Sequence, residues 1–188
     1  MPASVDRAAR AVARGEVVAY PTDTLWGLGA RATDARAVAR LKALKGRPDG
    51  MPISIAVSSV PEIDRWAALS APARAFARRY LPGPFTLLVP ASAPARARLA
   101  PGIAGPDGTI GVRVPDHAGA RELLRRTGPL TATSLNRHGA RPAATLAEAR
   151  RAFPRGVAAF LTGGATPSGR PSTLADLRGD RVRLVARR

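Results

Sequence analysis

The sequence contains no cysteine, and its only histidines are His117 and His138. Without thiols the chain can form no disulfide, no thiolate nucleophile and no cysteine-ligated zinc or iron–sulfur centre. Two histidines are also too few for a histidine-rich metal site. We therefore expect no metal centre built from the protein's own side chains.

Long apolar runs are also absent. No run approaches the ~20 residues that a membrane-spanning helix requires, and the first residues lack the apolar core of a secretory signal. A chain of 188 residues fits one domain, which can bury roughly 70% of its unfolded surface. We expect a single domain over residues 1–188, located in the cytoplasm and without a membrane partner.

Lysine and acidic residues are scarce beside arginine. Basic residues number 30 and acidic residues 13, which gives a net charge of +17, and all basic residues except Lys42 and Lys45 are arginines. One interpretation is a solvated arginine surface that reflects GC-rich coding. The other is a polyanionic partner, either nucleic acid or nucleotide phosphate. Aromatic residues make up only 4%, too few for evident base-stacking platforms. Because the arginines are scattered from Arg7 to Arg188 rather than massed in one block, any RNA binding is expected to be weak and non-specific.

Apolar periodicity and capping residues predict alternating strands and helices in one α/β domain. Helices are expected after an Asp34 cap and at residues 4–13, 70–81, 118–127 and 145–153. Strands are expected at residues 17–20, 53–57, 85–89, 109–114, 130–133, 157–161, 173–177 and 182–185. Residues 91–107, rich in proline, glycine and alanine, are expected to form a loop.

The densest polar segment is residues 20–29, with the sequence YPTDTLWGLG. A strand that ends in two hydroxyls, a carboxylate and two glycines is one way to build a ligand-binding wall, since glycine lets a ligand approach the backbone. The alternative is an ordinary turn in which threonine and aspartate side chains satisfy local amides.

Lys45, Gly46 and Arg47 follow at the end of a predicted helix. Side chains two residues apart in extended chain project the same way, so both cations can converge on one anion. A polyphosphate suits them, because arginine supplies a planar fork and lysine a point charge. The alternative is that both cations interact with the C-terminal end of the helix dipole.

Six segments then occur in an order that resembles the YrdC/TsaC family of threonylcarbamoyl-AMP synthases. They are residues 20–29, 45–48 (KGRP), 81–86 (LPGPFT), 111–117 (GVRVPDH), 133–139 (TSLNRHG) and 171–173 (PST). The resemblance runs from about residue 15 to residue 177. One departure is residues 136–142, which carry an apparent extra residue and no serine before the glycine.

The resemblance implies an α/β fold in a single YrdC-like domain. The expected architecture is a twisted, mixed but mostly parallel sheet flanked by helices, with a large basic cavity. The implied reaction joins L-threonine, bicarbonate and ATP into threonylcarbamoyl-AMP and pyrophosphate. That reaction needs no thiol, so it is compatible with a chain that has none.

The resemblance also implies roles for particular residues. Those expected to contact threonine are Thr24, Arg113 and Ser172. Those expected to bind ATP are Lys45, Arg47, Thr109, Ser134, Asn136 and Arg187, of which Lys45 and Arg47 are the expected catalytic residues. Mg²⁺ is expected on the phosphates, and a separate tRNA-modifying enzyme would take the product for N6-threonylcarbamoyladenosine (t6A) synthesis.

Two alternatives stay open at this point. The chain could be a YrdC-like protein that binds RNA or a nucleotide without synthase activity, or it could use a carbamoyl-adenylate for another acceptor. Asp116 and His117 could be taken for a base or a metal ligand. We expect them instead to close a turn or cap the next helix, and assign them no catalytic role.

Overall fold

A computed structural model describes residues 2–179 and 181–186 of the chain. Its α-helices within this range are Pro2–Ala13 (α1), Ala35–Lys45 (α2), Ala71–Tyr80 (α3), Ala93–Arg98 (α4), Ala118–Thr127 (α5) and Leu146–Ala152 (α6). A 3₁₀ segment spans Pro61–Arg65. Among the described residues, no helix combines the length and the apolar character needed to cross a bilayer.

The strands are mostly short. They are Val18–Pro21 (β1), Trp26–Gly29 (β2), Ile55–Ala56 (β3), Phe85–Pro90 (β4), Thr109–Arg113 (β5), Leu130–Thr131 (β6), Thr133–Ser134 (β7), Ala159–Phe160 (β8), Thr173–Asp176 (β9) and Arg183–Val185 (β10). They form a four-stranded sheet in the order β7-β2-β1-β8 and a six-stranded sheet in the order β10-β9-β4-β5-β3-β6.

The mixed α/β fold predicted from the sequence is confirmed, but the parallel majority is wrong. Within the described strands, the pairs β1–β2, β2–β7, β3–β6, β4–β5 and β9–β10 are antiparallel. The pairs β1–β8, β3–β5 and β4–β9 are parallel. For β1 and β2 the reason lies in their connection: the short turn between them can join only antiparallel neighbours, whereas parallel neighbours need a long crossover.

The helix starts are set by side chains that the sequence places at the right positions. Asp34 accepts a hydrogen bond from the Ala37 amide at 3.0 Å, and Ser70 caps α3. Thr145 and Glu148 form a capping box at the start of α6. Each cap satisfies amides that the first helical turn leaves without a partner, which is why these local predictions are confirmed.

A helix lies in the predicted loop 91–107, and a strand lies in the polar segment 20–29, where the sequence predicts neither. Helix α4 lies in residues 91–107 and begins with Ser92 as its cap and a proline in its first turn, the same pattern that starts α3. The composition of the segment obscured this signal. Strand β2 lies in the polar segment 20–29 and is buried throughout, although its two glycines give it low intrinsic strand preference.

The core consists of two clusters of buried apolar side chains. The larger one joins α2, α3, α4 and α6 to the strands. The smaller one packs α1 and α5 against β1, β3, β6 and β8, through side chains such as Val12, Tyr20 and Leu123. Because the two clusters hold the strands from several sides, the ends of β1, β4 and β5 are fixed relative to one another, and the candidate site lies beside them.

Candidate active site

A cavity of about 950 Å³ is lined by residues of both sheets. Strands β1, β2 and β7 contribute from the first sheet, and β4, β5, β9 and β10 from the second. The charged side chains among its described lining residues are Lys45, Arg47, Arg113, Arg178 and Asp107. Positive charge therefore exceeds negative charge in the lining, which suits an anionic ligand.

The structure brings the predicted site residues into this one cavity. Its lining includes Thr24, Lys45, Arg47, Thr109, Arg113, Ser134, Asn136 and Ser172. Arg187, the remaining predicted ATP contact, lies outside the described residues. The individual roles of these residues remain predictions, but their common location is a property of the fold.

The turn after β1 is held by the hydroxyl of Thr22. This oxygen accepts hydrogen bonds from the amides of Thr24 at 3.1 Å and Leu25 at 3.2 Å, and donates to the Leu25 carbonyl at 2.8 Å. The hydroxyls of Thr22 and Thr24 are 2.9 Å apart. The side chain thus satisfies local amides, as the turn interpretation predicts. Both threonines nevertheless line the cavity.

The two glycines of β2 are explained by the ring of Tyr20. A Cβ atom added to Gly29 would lie 2.9 Å from Tyr20 Cε1, and one added to Gly27 would lie 3.3 Å from Tyr20 Cζ. The phenol itself donates to the Thr131 carbonyl at 2.8 Å. The glycines therefore make room for a buried aromatic ring, a reason different from the ligand approach expected from the sequence.

Arg113, at the end of β5, is buried and connects two residues of the neighbouring turn. Its Nη1 donates to Thr24 Oγ1 at 2.8 Å, and its Nη2 donates to Asp23 Oδ1 at 2.7 Å. Burial lowers the pKa of the Arg113 guanidinium, while the charge of Asp23 opposes that shift. An arginine stays protonated in proteins, so this side chain presents a fixed positive charge to the cavity.

Lys45 uses its ammonium group to hold the part of the cavity wall that Ser134 and Asn136 form. Its Nζ donates to the Ser134 carbonyl at 2.6 Å, the Asn136 carbonyl at 2.8 Å and Asn136 Oδ1 at 2.9 Å. Burial, and secondarily the charge of Arg47, lower the pKa of Lys45 to about 8. The ammonium has only three N–H groups, so a phosphate contact requires it to exchange one of these partners.

Arg47 follows a helix end of the expected kind. Gly46 adopts the left-handed conformation, with φ of 66°, and ends α2. The guanidinium of Arg47 then donates to the carbonyls of Met51 at 3.2 Å and Pro52 at 2.7 Å. Burial lowers its pKa. Since the ammonium of Lys45 crosses to the segment at β7, interaction with the helix dipole is not what positions that side chain.

Residues 136–142 stay at the cavity despite their departure from the family pattern. Asn136 Nδ2 donates to the carbonyls of Arg137 at 2.9 Å and Ala140 at 2.6 Å. The Ser134 hydroxyl donates to Asn136 Oδ1 at 2.6 Å. The amide of His138 donates to the Lys45 carbonyl at 2.8 Å. The segment is therefore held in place by hydrogen bonds within itself and by a hydrogen bond to the end of α2.

The remaining predicted contacts have partners that the sequence reasoning missed. The Thr109 hydroxyl donates to Asp107 Oδ2 at 2.8 Å, and the hydroxyls of Ser172 and Thr86 are 2.8 Å apart. Thr86 and Asp107 both line the cavity. Thr86 ends the LPGPFT segment, a pattern from which it can be predicted, whereas Asp107 lies in residues 91–107, which the composition predicts to be a loop.

His117 caps the next helix, as expected, and Asp116 forms an exposed ion pair. His117 precedes α5, and its Nδ1 accepts a hydrogen bond from the Ala120 amide at 3.2 Å. Asp116 forms an ion pair with Arg121 at 2.8 Å. In the part of the chain that the structure describes, no group of three histidine, aspartate or glutamate side chains is placed to hold a metal ion.

The sequence model of the Sua5/YciO/YrdC family, described as "Telomere recombination", matches residues 10–188. The chain belongs to this family. The family predicted from the six sequence segments is thus confirmed. Because the match begins in α1 and continues through the rest of the chain, membership extends to every segment that lines the cavity.

Two relatives within the family are similar over most of their length. A threonylcarbamoyl-AMP synthase of Chromohalobacter salexigens is 39% identical over 183 residues, covering 95% of this chain and 96% of the relative. A protein of the same name from Chromobacterium violaceum is 39% identical over 178 residues, covering 94% and 90%.

Solved structures of the family share the fold. The structure of P. abyssi Sua5 complexed with L-threonine matches with a TM-score of 0.87 at 32% identity. The match covers 96% of this chain and 52% of that one, so this chain spans about half of that protein. E. coli YciO matches with a TM-score of 0.85 at 25% identity, covering 98% and 89%.

Proposed function

We propose that the protein is a threonylcarbamoyl-AMP synthase, which makes threonylcarbamoyl-AMP from L-threonine, bicarbonate and ATP. The observation that carries this proposal is the convergence of eight predicted site residues, drawn from segments spread between residues 24 and 172, on one cavity. The names of the relatives from Chromohalobacter and Chromobacterium support the same activity.

The threonine end of the site is assigned to Arg113 and Thr24. The guanidinium of Arg113 uses one N–H on Thr24 and one on Asp23, which leaves one N–H on each terminal nitrogen for a ligand. Its Nε is buried without a partner. A carboxylate is the ligand that best matches a fixed guanidinium fork. Ser172, buried and also in the cavity lining, is assigned to the same end.

The nucleotide end is assigned to Arg47 and Lys45, together with Thr109, Ser134 and Asn136. Phosphate oxygens would take the free donors of Arg47 and one of the donors that Lys45 gives to backbone carbonyls. The role of both cations is to neutralise charge as pyrophosphate leaves, a form of electrostatic stabilisation that positioned donors provide.

Mg²⁺ belongs to the proposal as an ion carried in by the nucleotide. Among the described lining residues Asp107 is the carboxylate, and its oxygens already accept from Thr109 and Arg178. Mg²⁺ commonly binds through substrate phosphates with few protein ligands, so this lining suits phosphate-held Mg²⁺. When bound, the ion would neutralise phosphate charge.

The reaction balances without a covalent enzyme intermediate. The amine of threonine attacks bicarbonate, forming a C–N bond and releasing water to give a carbamate. A carbamate oxygen then attacks the α-phosphorus of ATP, and the bond to the β-phosphate oxygen breaks to release pyrophosphate. The protein contributes orientation and charge neutralisation. The product would pass to a separate tRNA-modifying enzyme in t6A synthesis.

The deciding experiment incubates the purified protein with ATP, bicarbonate, Mg²⁺ and threonine. Pyrophosphate release is followed together with the adenylate, by mass spectrometry. Both signals should require all three substrates, and valine should not replace threonine. A protein that binds ATP or RNA but releases no pyrophosphate under these conditions would contradict the proposal and favour a binding function.

A further inference from the structure

Asp23 contacts the guanidinium of Arg113 and is not itself among the residues that line the cavity. Its Oδ1 accepts from Arg113 Nη2 at 2.7 Å, and the cavity lining includes Arg113 but not Asp23. The side chains of Asp23 and Arg113 are 15% and 8% exposed. The ion pair is therefore largely shielded from water. A charged hydrogen bond is stronger at such a shielded site than at an exposed one.

Asp23 is itself held from two further directions. Its Oδ1 also accepts from the amide of Asp116 at 3.1 Å, just beyond β5. Its backbone carbonyl accepts from the amide of Ser168 at 3.1 Å. The backbone of Asp23 is thus tied to the segment around residue 168, and its carboxylate is held through Oδ1 by Arg113 and by the amide of Asp116 at the end of β5.

These contacts constrain the plane of the Arg113 guanidinium. Thr24 accepts from Nη1 and Asp23 accepts from Nη2, so two different nitrogen atoms are tied to two neighbouring residues of one turn. A planar group held at two nitrogen atoms cannot rotate about its bond to the side chain without breaking a hydrogen bond. The remaining donors accordingly keep one orientation before any ligand arrives.

We propose that Asp23 is a positioning residue that pre-orients Arg113 for the carboxylate of the amino-acid substrate. This inference rests on the proposed synthase function. Asp23 makes no contact with substrate in this scheme. It acts through Arg113, because a binding group that is already oriented loses less freedom when the ligand binds.

The first test compares Asp23→Ala, Asp23→Asn and the control Asp116→Ala. Asp23→Ala should raise the KM for threonine about tenfold, with kcat and the KM for ATP within about twofold of the wild type. Asp23→Asn should have a threonine KM closer to that of the wild type than to that of Asp23→Ala, since its amide oxygen can accept from the same two N–H groups. Asp116→Ala should match the wild type, because its backbone amide remains and its exposed carboxylate pairs with Arg121.

The second test is a double-mutant cycle with Arg113→Ala, read by threonine binding in calorimetry as well as by KM. In the Arg113→Ala background, Asp23→Ala should have no further effect on threonine, since residues that act through one contact are not additive. Should Asp23→Ala fail to fold, Asp23→Ser takes its place in the cycle, because its hydroxyl ends one bond short of the carboxylate oxygen.

Several results would overturn the inference. Additive effects of the two substitutions would do so, as would tighter threonine binding by Asp23→Ala, which would mean that the carboxylate mainly repels the substrate. An active wild type whose threonine KM is insensitive to Asp23→Ala would overturn this inference alone. A wild type that neither binds threonine nor forms adenylate would overturn the proposed function and this inference together.

Discussion

Lys45 donates two hydrogen bonds to Asn136, one to its carbonyl oxygen at 2.8 Å and one to its amide oxygen at 2.9 Å. The third ammonium proton goes to the Ser134 carbonyl. A lysine expected to bind phosphate therefore also fixes the segment at the opposite wall of the cavity. The two roles can be separated by stability measured without ligand and activity measured with it.

Lys45→Ala should lower the free energy of unfolding by about 1–3 kcal/mol, because buried acceptors lose their donor, and should also abolish adenylate formation. Thermal melts without ligand measure the first effect. Lys42→Ala is the matched control: Lys42 pairs with an exposed carboxylate of Asp49, and a pair of that kind contributes about 0–1 kcal/mol. Equal melting temperatures for wild type and Lys45→Ala would show that the three contacts do not stabilise the fold.

The pH dependence of ATP affinity should follow Lys45. Its pKa is lowered to about 8, so the positive charge is complete well below that pH and is lost above it. Binding of a non-hydrolysable ATP analogue should weaken between about pH 7 and about pH 9.5 in the wild type, and vary less in Lys45→Ala. An unchanged affinity across this interval would contradict the assignment.

Lys45 should also make the stability of the ligand-free protein depend on pH. The ordinary pKa of lysine, which applies to the unfolded chain, lies above the value in the folded protein, so between the two the unfolded chain binds more protons. The contribution of Lys45 to the free energy of unfolding should then become more favourable as pH rises from about 8 toward the pKa that lysine has in the unfolded chain. Denaturant unfolding of the wild type, compared with Lys45→Met over this interval, measures it.

Arg113→Ala should raise the KM for threonine by roughly ten- to a hundredfold, since a charge-assisted hydrogen bond contributes about 1.5–3 kcal/mol. The KM for ATP should change little. Steady-state kinetics with each substrate varied in turn separates the two effects. Loss of ATP binding with an unchanged threonine dependence would place Arg113 at the wrong end of the site.

Gly29→Ala should destabilise the fold by about 1–3 kcal/mol, the usual effect of overpacking a core. The new Cβ would lie 2.9 Å from the ring of Tyr20, which is fully buried. Gly179→Ala is the control, because its added Cβ would meet no atom within 4 Å. Denaturant unfolding compares the two, and equal stabilities would show that the Tyr20 ring can shift without cost.

The arginine excess should produce weak, non-specific binding of tRNA that is largely lost near physiological salt. Several arginines are already engaged within the protein, as in the ion pair of Arg74 with Asp64 and the packing of Arg98 over the Trp66 ring. Affinity measured against salt should give a shallow slope, since each phosphate contact adds roughly −0.7 to −0.9 on a log–log scale. Tight binding that prefers unmodified tRNA over heparin would contradict this expectation.

The sequence by itself determined helix starts such as those of α2 and α6, and it determined the family. Helix caps such as Asp34 and Thr145 act within one turn of chain, so their effect is visible in a few consecutive letters. The six family segments are local patterns in the same sense. Their order identifies the family, and the family resemblance implies the site residues.

Only the tertiary structure determined which strands pair, that β2 forms, and which hydrogen bonds connect the site residues. Lys45 and Asn136 are 91 positions apart, and Asp23 and Arg113 are 90 apart, so no local pattern links them. The need for glycine in β2 is evident only once the position of the Tyr20 ring is known, because that ring fills the space that a Cβ atom would occupy. Such relationships depend on packing between distant segments, which the core creates and no short stretch of sequence contains.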